Sequence, residues 1–237
     1  NNYALAQIHA GMAQHGHAFF AWEQYAGKGQ RGKTWTSEKG HNLIISLIVN
    51  PQPLLTHQQF QLSVAAAVAT ARWLTHKTDE NVRIKWPNDI YWHDRKAGGI
   101  LIESVISANE NSGSQWKWAV IGIGLNINQG SFSNDLPNPV SLLQITGKTH
   151  PVNILAKELC AELETTWQSL RENKFAELLE EYNQLLFGRG RTLRFKQDNR
   201  SFQAVISRVD ENGKLWVQEG VEKSYAFGEI QLILPVA

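Results

Sequence analysis

The segment from Gln24 to Trp35 combines backbone freedom with positive charge, and an anionic ligand requires both. It interleaves three glycines with three cations, namely Gly27, Lys28, Gly29, Arg31, Gly32 and Lys33. Glycine lets the backbone approach a ligand closely, and main-chain N–H groups that converge beside cations form sites for phosphate and similar anions. The apolar run Phe19–Trp22 precedes the segment. We therefore expect the loop to leave the end of a buried strand.

Two known phosphate-binding patterns fit this segment literally. Gly27–Thr34 matches G-x-x-x-x-G-K-[ST], and Gly27–Gly32 matches G-x-G-x-x-G. Both patterns bind phosphate only where a helix begins at the last glycine. Here a short polar turn leads instead into the β-branched apolar run Leu43–Val49, which predicts a strand. We set both interpretations aside, and a glycine-rich hairpin with solvated charges is the plain structural alternative.

A second stretch places lysines at the ends of a predicted hairpin. Residues 83–92 and 95–103 predict strand, Pro-Asn-Asp turn, strand, glycine-containing turn and strand. Lys85 and Lys96 then lie at opposite ends of the hairpin, where a lysine is usually solvated, and the turn residues have an ordinary structural explanation. A glycine-containing strand region ends near Asn126, and glycine there lets a ligand or another strand come close.

Apolar periodicity indicates an α+β chain. Helices are predicted at 2–16, 57–77, 153–172 and 174–186, and strands at 19–24, 43–49, 192–195, 201–209, 214–218, 223–227 and 231–234. The proline-containing region 129–151 predicts loop. The five short strands at the C-terminal end predict a small β-barrel, and Asn212-Gly213 predicts one of its hairpin turns.

Composition narrows the classes of function. The chain has 237 residues and 42% hydrophobic content, enough for a sizeable core. With 23 basic and 22 acidic residues its net charge is +1, so no bulk field attracts nucleic acid or a membrane surface. One cysteine excludes an internal disulfide and fits a reducing cytoplasm. We find no signal peptide, no apolar run of about 20 residues and no helix-turn-helix segment, so we expect no membrane or specific DNA binding.

Four motifs, in this order, resemble those of the biotin–protein ligases. They are Gly27–Trp35, Lys85–Asp89, Lys96–Glu103 and Gly122–Asn128. The resemblance covers nearly the whole chain and implies an α+β fold. Residues 1–188 would form a catalytic domain like the class II aminoacyl-tRNA synthetases, with a mixed sheet flanked by helices. Residues 189–237 would form an SH3-like β-barrel.

The resemblance also implies an activity. The family joins biotin to ATP as biotinyl-5′-AMP, releases pyrophosphate, and then transfers biotin to a lysine of a biotin carboxyl carrier protein, such as that of acetyl-CoA carboxylase. Biotin and ATP would be substrates, with Mg²⁺ as the metal ion. Two anions must meet in this reaction, so fixed cations have to offset their repulsion in a dry site. A monomer and a homodimer are both compatible with the sequence.

The resemblance assigns residues to each step. Lys96 would lie between carboxylate and α-phosphate, and Arg31 would join it in catalysis. The implied biotin-binding residues are Asn1, Gln24, Gly27, Lys28, Gly29, Gln30, Lys96 and Gly99. The implied ATP or adenylate residues are Arg31, Lys33, Trp35, Asn88, Asp89, Lys96 and Asn126, with Asp89 also a ligand of the metal ion.

Three features depart from the family pattern. Position 28 is Lys where Arg is common, and lysine cannot make the same planar bidentate contact. Position 30 is Gln where some members have Arg, and the Ser-Thr that precedes the family's Asn is absent before Asn1. Two alternatives stay open: a lipoate–protein ligase, which shares the fold but carries a different arginine- and glycine-rich loop, and a non-catalytic nucleotide-binding regulator, which would not require Lys96.

Overall fold

The computed structural model describes residues 1–32, 34–78, 82–109, 113–134 and 136–234, with backbone alone at residues 31, 108, 109 and 113. Its strands are β1 (Ala18–Phe20), β2 (Gly27–Lys28), β3 (Thr34–Trp35), β4 (Leu43–Val49), β5 (Val82–Lys85), β6 (Asp89–Trp92), β7 (Arg95–Asn109), β8 (Gly113–Leu125), β9 (Thr192–Gln197), β10 (Arg200–Val209), β11 (Leu215–Glu219), β12 (Val221–Tyr225) and β13 (Gln231–Ile233). Its α-helices are α1 (Asn2–His9), α2 (Gln59–Thr78), α3 (Leu142–Thr146), α4 (Val152–Arg171) and α5 (Phe175–Gln184).

The larger sheet contains six of the described strands, in the order β1-β4-β8-β7-β6-β5. Every neighbouring pair in it is antiparallel. The mixed sheet expected above is therefore wrong for the described strands, whose parallel contacts are isolated bridges such as that between Ile84 and Leu186. The physical reason is connectivity: β5, β6, β7 and β8 follow one another with only two or three residues between them, and connections that short join antiparallel strands only.

Alternation along β8 separates the two faces of this sheet. Ile121 and Ile123 enter the main hydrophobic core, whereas Val120 joins a second apolar cluster with residues of α1. Successive side chains of a strand point to opposite faces, so Gly122 and Gly124 lie on the same face as Val120. Because these two glycines have no side chains, this face of β8 is bare at both positions, and a cleft opens above it.

Helices α2, α4 and α5 cover the other face and complete the main core. Buried alanines of α2, such as Ala67 and Ala69, allow close packing on the sheet. Arg72 of α2 ties the helices together, because its Nε donates to Glu181 of α5 at 2.6 Å and its Nη1 lies 3.6 Å from Glu162 of α4. No helix within the described ranges is long and apolar enough to cross a membrane.

Three local predictions are corrected by the structure. The helix predicted over 2–16 ends at His9, because Gly11 adopts a left-handed φ of +72°. The glycines of the 95–103 segment lie inside β7, and the turn before β7 is at 93–94, where His93 has a φ of +52°. The region predicted as loop over 129–151 contains the short helix α3, which Ser141 caps by accepting a hydrogen bond from the Gln144 N–H.

The described C-terminal strands form a second antiparallel sheet in the order β12-β11-β10-β9-β13. The Asn212-Gly213 turn joins β10 and β11 as predicted. The sheet is firmly docked: the side chain of Asn183 in α5 donates to the Val209 carbonyl at 3.0 Å and accepts from the Val209 N–H at 2.7 Å. Trp86 Nε1 donates to the Gly213 carbonyl at 3.0 Å. The main core therefore continues from the larger sheet into this one.

Candidate active site

A cleft of about 1960 Å³ is lined by the bare face of the larger sheet, the glycine segment and the C-terminal sheet. It brings together most of the residues assigned from the sequence, namely Asn1, Gln24, Lys28, Gly29, Gln30, Trp35, Asn88, Asp89, Lys96, Gly99 and Asn126. Gly27 is buried and does not line the cleft. Lys33 and the side chain of Arg31 lie outside the described residues.

The glycine segment is a small hairpin in which β2 pairs antiparallel with β3 around a 3-10 turn at Gln30–Gly32. A strand follows the last glycine, so setting aside the two helix-dependent phosphate patterns was correct. The hairpin requires glycine at position 27, where an added Cβ would lie 2.1 Å from the Trp35 carbonyl oxygen and 2.8 Å from Gln24 Oε1. Gly32 adopts a φ of +75°, which other residues rarely adopt.

Trp35 rests on the bare strand β8. A Cβ added at Gly124 would lie 2.8 Å from the Trp35 ring, so only glycine at 124 permits this packing. Trp35 Nε1 and Gln30 Oε1 are buried, and neither has a hydrogen-bond partner in the described part of the chain. Buried polar atoms are nearly always bonded. Two such atoms at one cleft therefore mark positions where a polar ligand would find partners.

Lys96 and Asp89 form an ion pair at the centre of the cleft. The β6–β7 hairpin brings them together, with Lys96 Nζ 2.6 Å from Asp89 Oδ1 and 5.9 Å from the centroid of the Trp35 ring. Gly99 makes room for the pair, since an added Cβ would lie 3.3 Å from Asp89 Oδ1.

Sequence reasoning assigned no role to Lys85, whose Nζ lies 3.9 Å from Asp89 Oδ2. Its position in the same motif as Asp89 was the signal that could have found it.

Asn88 and Asn126 use their amide nitrogens to hold the backbone of the site. Asn88 Nδ2 donates to the carbonyl of Ile100, whose own N–H donates to the Asn88 carbonyl at 3.0 Å. Asn126 is buried, and its Nδ2 donates to the Val140 carbonyl at 3.1 Å. Both side chains therefore position neighbouring segments, and their contact with an adenylate stays a prediction.

The side chain of Asn1 lies directly on the bare face of the larger sheet, at a position that we call the seat of Asn1. Its Nδ2 donates to the Leu101 carbonyl at 3.1 Å, and its Oδ1 accepts from Ser46 Oγ at 2.8 Å. A Cβ added at Gly122 would lie 2.2 Å from Asn1 Oδ1, so this seat also requires glycine. Ser46 was missed by sequence reasoning, although a lone polar residue in the otherwise apolar strand β4 was a usable signal.

Tyr91 forms part of the floor beneath the ion pair. Burial, followed by the negative charges of Asp89 and Asp94, raises the pKa of Tyr91 well above its usual value. The phenol therefore stays neutral at any physiological pH. It acts as a fixed polar surface rather than as a proton acceptor.

The described residues do not form a magnesium site by themselves. No group of three or more His, Cys, Asp or Glu side chains among them is arranged to hold a metal ion. Asp89 is one carboxylate, and its Oδ1 already accepts a hydrogen bond from Lys96. Proteins often hold Mg²⁺ through one or two carboxylates together with substrate phosphates. Asp89 therefore fits the ion only as a single ligand beside bound phosphates.

The comparisons with known proteins agree with this geometry. The model of the biotin/lipoate A/B protein ligase family matches residues 1–126. The bifunctional ligase/repressor BirA of Salmonella typhimurium is 30% identical over 236 residues, which span 98% of this chain and 71% of that protein. The biotin–[acetyl-CoA-carboxylase] ligase of Mycobacterium tuberculosis is 27% identical over 220 residues, or 91% of this chain and 78% of that protein.

The fold also matches a solved structure. The biotin protein ligase from Aquifex aeolicus, determined in complex with biotin and ATP, superposes with a TM-score of 0.77. The match covers 93% of this chain and 90% of that one at 22% identity, so it concerns the fold. The family model covers more than half of the chain and the similarity to BirA extends over nearly all of it, so this protein belongs to the biotin/lipoate A/B protein ligase family.

Proposed function

We propose that this protein is an ATP-dependent biotin–protein ligase, which forms a C–N bond in two steps. It activates biotin as biotinyl-5′-AMP with release of pyrophosphate, and then transfers biotin to a lysine of a biotin carboxyl carrier protein. The observation that carries the proposal is the Lys96–Asp89 pair, which lies in the same cleft as Asn1 and the glycine hairpin. The Mycobacterium tuberculosis relative, matched over 91% of this chain, is named a biotin–[acetyl-CoA-carboxylase] ligase.

In the first step, a biotin carboxylate oxygen bonds to the α-phosphorus of ATP, and the bond from that phosphorus to the bridging oxygen breaks. Pyrophosphate leaves with the electron pair. Lys96 offsets the repulsion between the two anions as they meet, because a preorganised cation in a poorly solvated site stabilises developing charge. Arg31 and Lys33 act on the phosphates in this proposal. Mg²⁺, when bound, supplies further charge neutralisation on the phosphates.

In the second step, the carrier lysine attacks the carbonyl carbon of the mixed anhydride as a neutral amine. The bond from that carbon to the phosphate oxygen breaks, and AMP leaves. The amine proton passes to solvent or to the departing phosphate. The cleft is only partly enclosed, which supports access for a macromolecular substrate.

The proposed biotin end comprises the hairpin and the seat of Asn1, formed by Asn1, Gln24, Gly27, Lys28, Gly29, Gln30 and Gly99. Gly27 acts from behind the cleft by setting the hairpin geometry. Lys28 gives a point charge where the family commonly has a planar guanidinium. Gln30 Oε1, which has no hydrogen-bond partner among the residues that the structure describes, supports a polar ligand at this end.

The proposed adenylate end comprises Trp35, Asn88, Asp89 and Asn126. The indole of Trp35 gives an aromatic surface that can stack on a base, and its buried Nε1 lacks a partner in the described chain. Asn88 and Asn126 hold the backbone around it. Asp89 orients Lys96 and is the proposed single protein ligand for Mg²⁺.

We assign the two sheets to two domains, a class II synthetase-like catalytic domain at 1–188 and an SH3-like barrel at 189–237. The antiparallel order of the five described C-terminal strands supports the barrel. The net charge of +1 supports a chain that does not bind nucleic acid by itself, and one cysteine supports a cytoplasmic setting. A monomer and a homodimer are both consistent with the proposal.

The test is incubation with Mg²⁺-ATP and either biotin or lipoate, followed by mass spectrometry of the acyl-AMP. Biotinyl-AMP is the expected product, and a biotin carrier domain added afterwards should gain one biotinyl group on its lysine. Lipoyl-AMP formed faster than biotinyl-AMP would identify a lipoate ligase. A protein that binds ATP but forms neither adenylate would be a regulator.

A further inference from the structure

Lys85 lies on the opposite side of Asp89 from Lys96, and the mechanism proposed above assigns it no role. Lys85 Nζ lies 3.9 Å from Asp89 Oδ2, whereas Lys96 Nζ lies 2.6 Å from Oδ1. Two ammonium groups thus share one carboxylate, and these three groups together carry one net positive charge. All three line the same cleft.

Strand order arranges these groups in a row. The side chain of Asn1 is held over β4 and β8, Lys96 belongs to β7, Asp89 to β6 and Lys85 to the edge strand β5. Neighbouring strands lie about 4.8 Å apart. The row therefore runs from the proposed biotin end, through the ion pair, to the outer edge of the sheet.

We propose that Lys85 is a further catalytic residue that receives the pyrophosphate leaving group; this inference rests on the proposed function. The attacking and leaving oxygens are roughly in line in phosphoryl-type displacements. A carboxylate that attacks from the Asn1 side of Lys96 therefore expels pyrophosphate toward the opposite side, where Lys85 lies. Lys96 stabilises the meeting of the anions, and Lys85 stabilises the charge that leaves.

The environment of Lys85 is suited to binding the pyrophosphate leaving group. Its Nζ lies 5.4 Å from the centroid of the buried Tyr91 ring, and the Tyr91 ring contacts that of Phe187, with centroids 5.3 Å apart. An apolar and aromatic flank reduces solvation of the ammonium group, which strengthens its attraction for an anion. The contact to Asp89 at 3.9 Å is beyond hydrogen-bond distance, so Asp89 attracts the Lys85 ammonium group through charge alone.

The test compares both half-reactions in Lys85→Met. Biotinyl-AMP formation should slow by about 10²-fold, the typical loss of one preorganised charge contact, and the pyrophosphate concentration for half-maximal reversal should rise at least about tenfold. Transfer of biotin from supplied biotinyl-AMP to a carrier domain should stay within about twofold, because pyrophosphate has already left by that stage. Lys85→Arg, which keeps the charge, should recover most of the first step.

Lys77→Met is a matched control. Lys77 is also an ion-paired lysine, 2.6 Å from Glu158, and its side chain is 28% exposed against 22% for Lys85. It lies on α2, outside the residues that line the cleft. Both half-reactions of Lys77→Met should match the wild type.

A measurement on the wild-type protein covers the case in which Lys85→Met does not fold. Inorganic pyrophosphate should protect Lys85 from acetylation, read by peptide mass spectrometry, while the reactivity of Lys77 stays constant. Equal slowing of both half-reactions, or an unchanged pyrophosphate dependence together with no protection, would overturn the role. If the wild type forms no biotinyl-AMP, the proposed function fails as well; if it does and Lys85→Met equals it, this inference alone fails.

Discussion

Lys96 is engaged in the free protein by contacts that substrates must replace. Its ammonium group is paired with Asp89 at 2.6 Å, and its side chain remains about a third exposed at 31%. An ion pair with that exposure contributes little to folding, because solvent screens it. We therefore expect Lys96 to contribute little to the stability of the fold.

Replacement of Lys96 by Ala should slow biotinyl-AMP formation by about 10²–10³-fold, because it removes charge stabilisation that develops as the anions meet. The free energy of unfolding should change by no more than about 1 kcal/mol. Rapid-quench detection of biotinyl-AMP and urea unfolding measure the two effects, with Lys77→Ala as the control. A folded Lys96→Ala protein that adenylates biotin at the normal rate would make Lys96 an ordinary solvated lysine.

Gly122→Ala tests the seat of Asn1. The new methyl group would lie 2.2 Å from Asn1 Oδ1, so the Asn1 side chain has to leave the sheet. Two hydrogen bonds of about 1 kcal/mol each are then lost, and KM for biotin should rise at least about tenfold. KM for ATP should change little, whereas the melting temperature should fall by a few degrees, because two hydrogen bonds of the Asn1 side chain are lost.

Gly130→Ala is the control for this substitution, because nothing lies within 4 Å of an added Cβ there. Its biotin KM should equal that of the wild type. A Gly122→Ala protein with normal KM for both substrates would show that Asn1 does not contact biotin.

At the scale of elements, we expect the glycine hairpin to depend on a ligand for its order. Three glycines within six residues lose much backbone entropy on ordering. Its cations also repel one another until an anion binds. The hairpin contains few compensating contacts in the described structure, where β2 and β3 pair over only two residues each.

We therefore expect ligands to protect the hairpin from trypsin, which cleaves after Lys28, Arg31 and Lys33. Cleavage should be rapid in the free protein and strongly suppressed by biotin plus ATP, with ATP alone protecting less. Closure of this kind would shield a reactive anhydride from water. Equal cleavage rates with and without both ligands would show that the hairpin is preformed, and the shielding role would be abandoned.

For the whole molecule, the two sheets behave as one packed body rather than as a catalytic domain with a loose appendage. The hydrophobic core is continuous across the predicted boundary at 188/189. The polar pair between Asn183 and Val209 is buried within this contact. Trp86 belongs to the motif that carries Asp89, and its side chain donates a hydrogen bond to Gly213 of the second sheet. The candidate active site and the C-terminal sheet therefore stabilise each other.

Asn183→Ala should lower the free energy of unfolding by about 2–4 kcal/mol, because it leaves a buried N–H and a buried carbonyl of Val209 without their partner. Calorimetry should still show one transition, at a lower temperature, if the sheets unfold together. Asn153→Ala, at an exposed position of α4, is the control and should be neutral. Two resolved transitions in the wild-type protein would mean that the C-terminal sheet is an independent unit.

Local patterns in the sequence were sufficient for most elements and for the residues of the site. The strand at 43–49 was predicted with its observed bounds, because seven consecutive apolar or small residues between breakers have no comparable alternative. The first helix was predicted too long, because apolar spacing continues past Gly11 whereas the backbone there turns left-handed. Most of the motif residues that the family resemblance assigned line one cleft, while their individual roles stay predictions.

The sequence by itself thus determined the family, most of the helices and strands, and most of the residues assigned to the cleft. Only the tertiary structure determined which of these residues are in contact. Asn1 reaches Leu101 and Trp86 reaches Gly213 across sequence separations of 100 and 127 residues. The pairing of Asp89 with both Lys85 and Lys96 likewise depends on the register of three strands. Periodicity encodes which face of an element is buried, but register and sheet order arise from packing between distant segments, which no local pattern specifies.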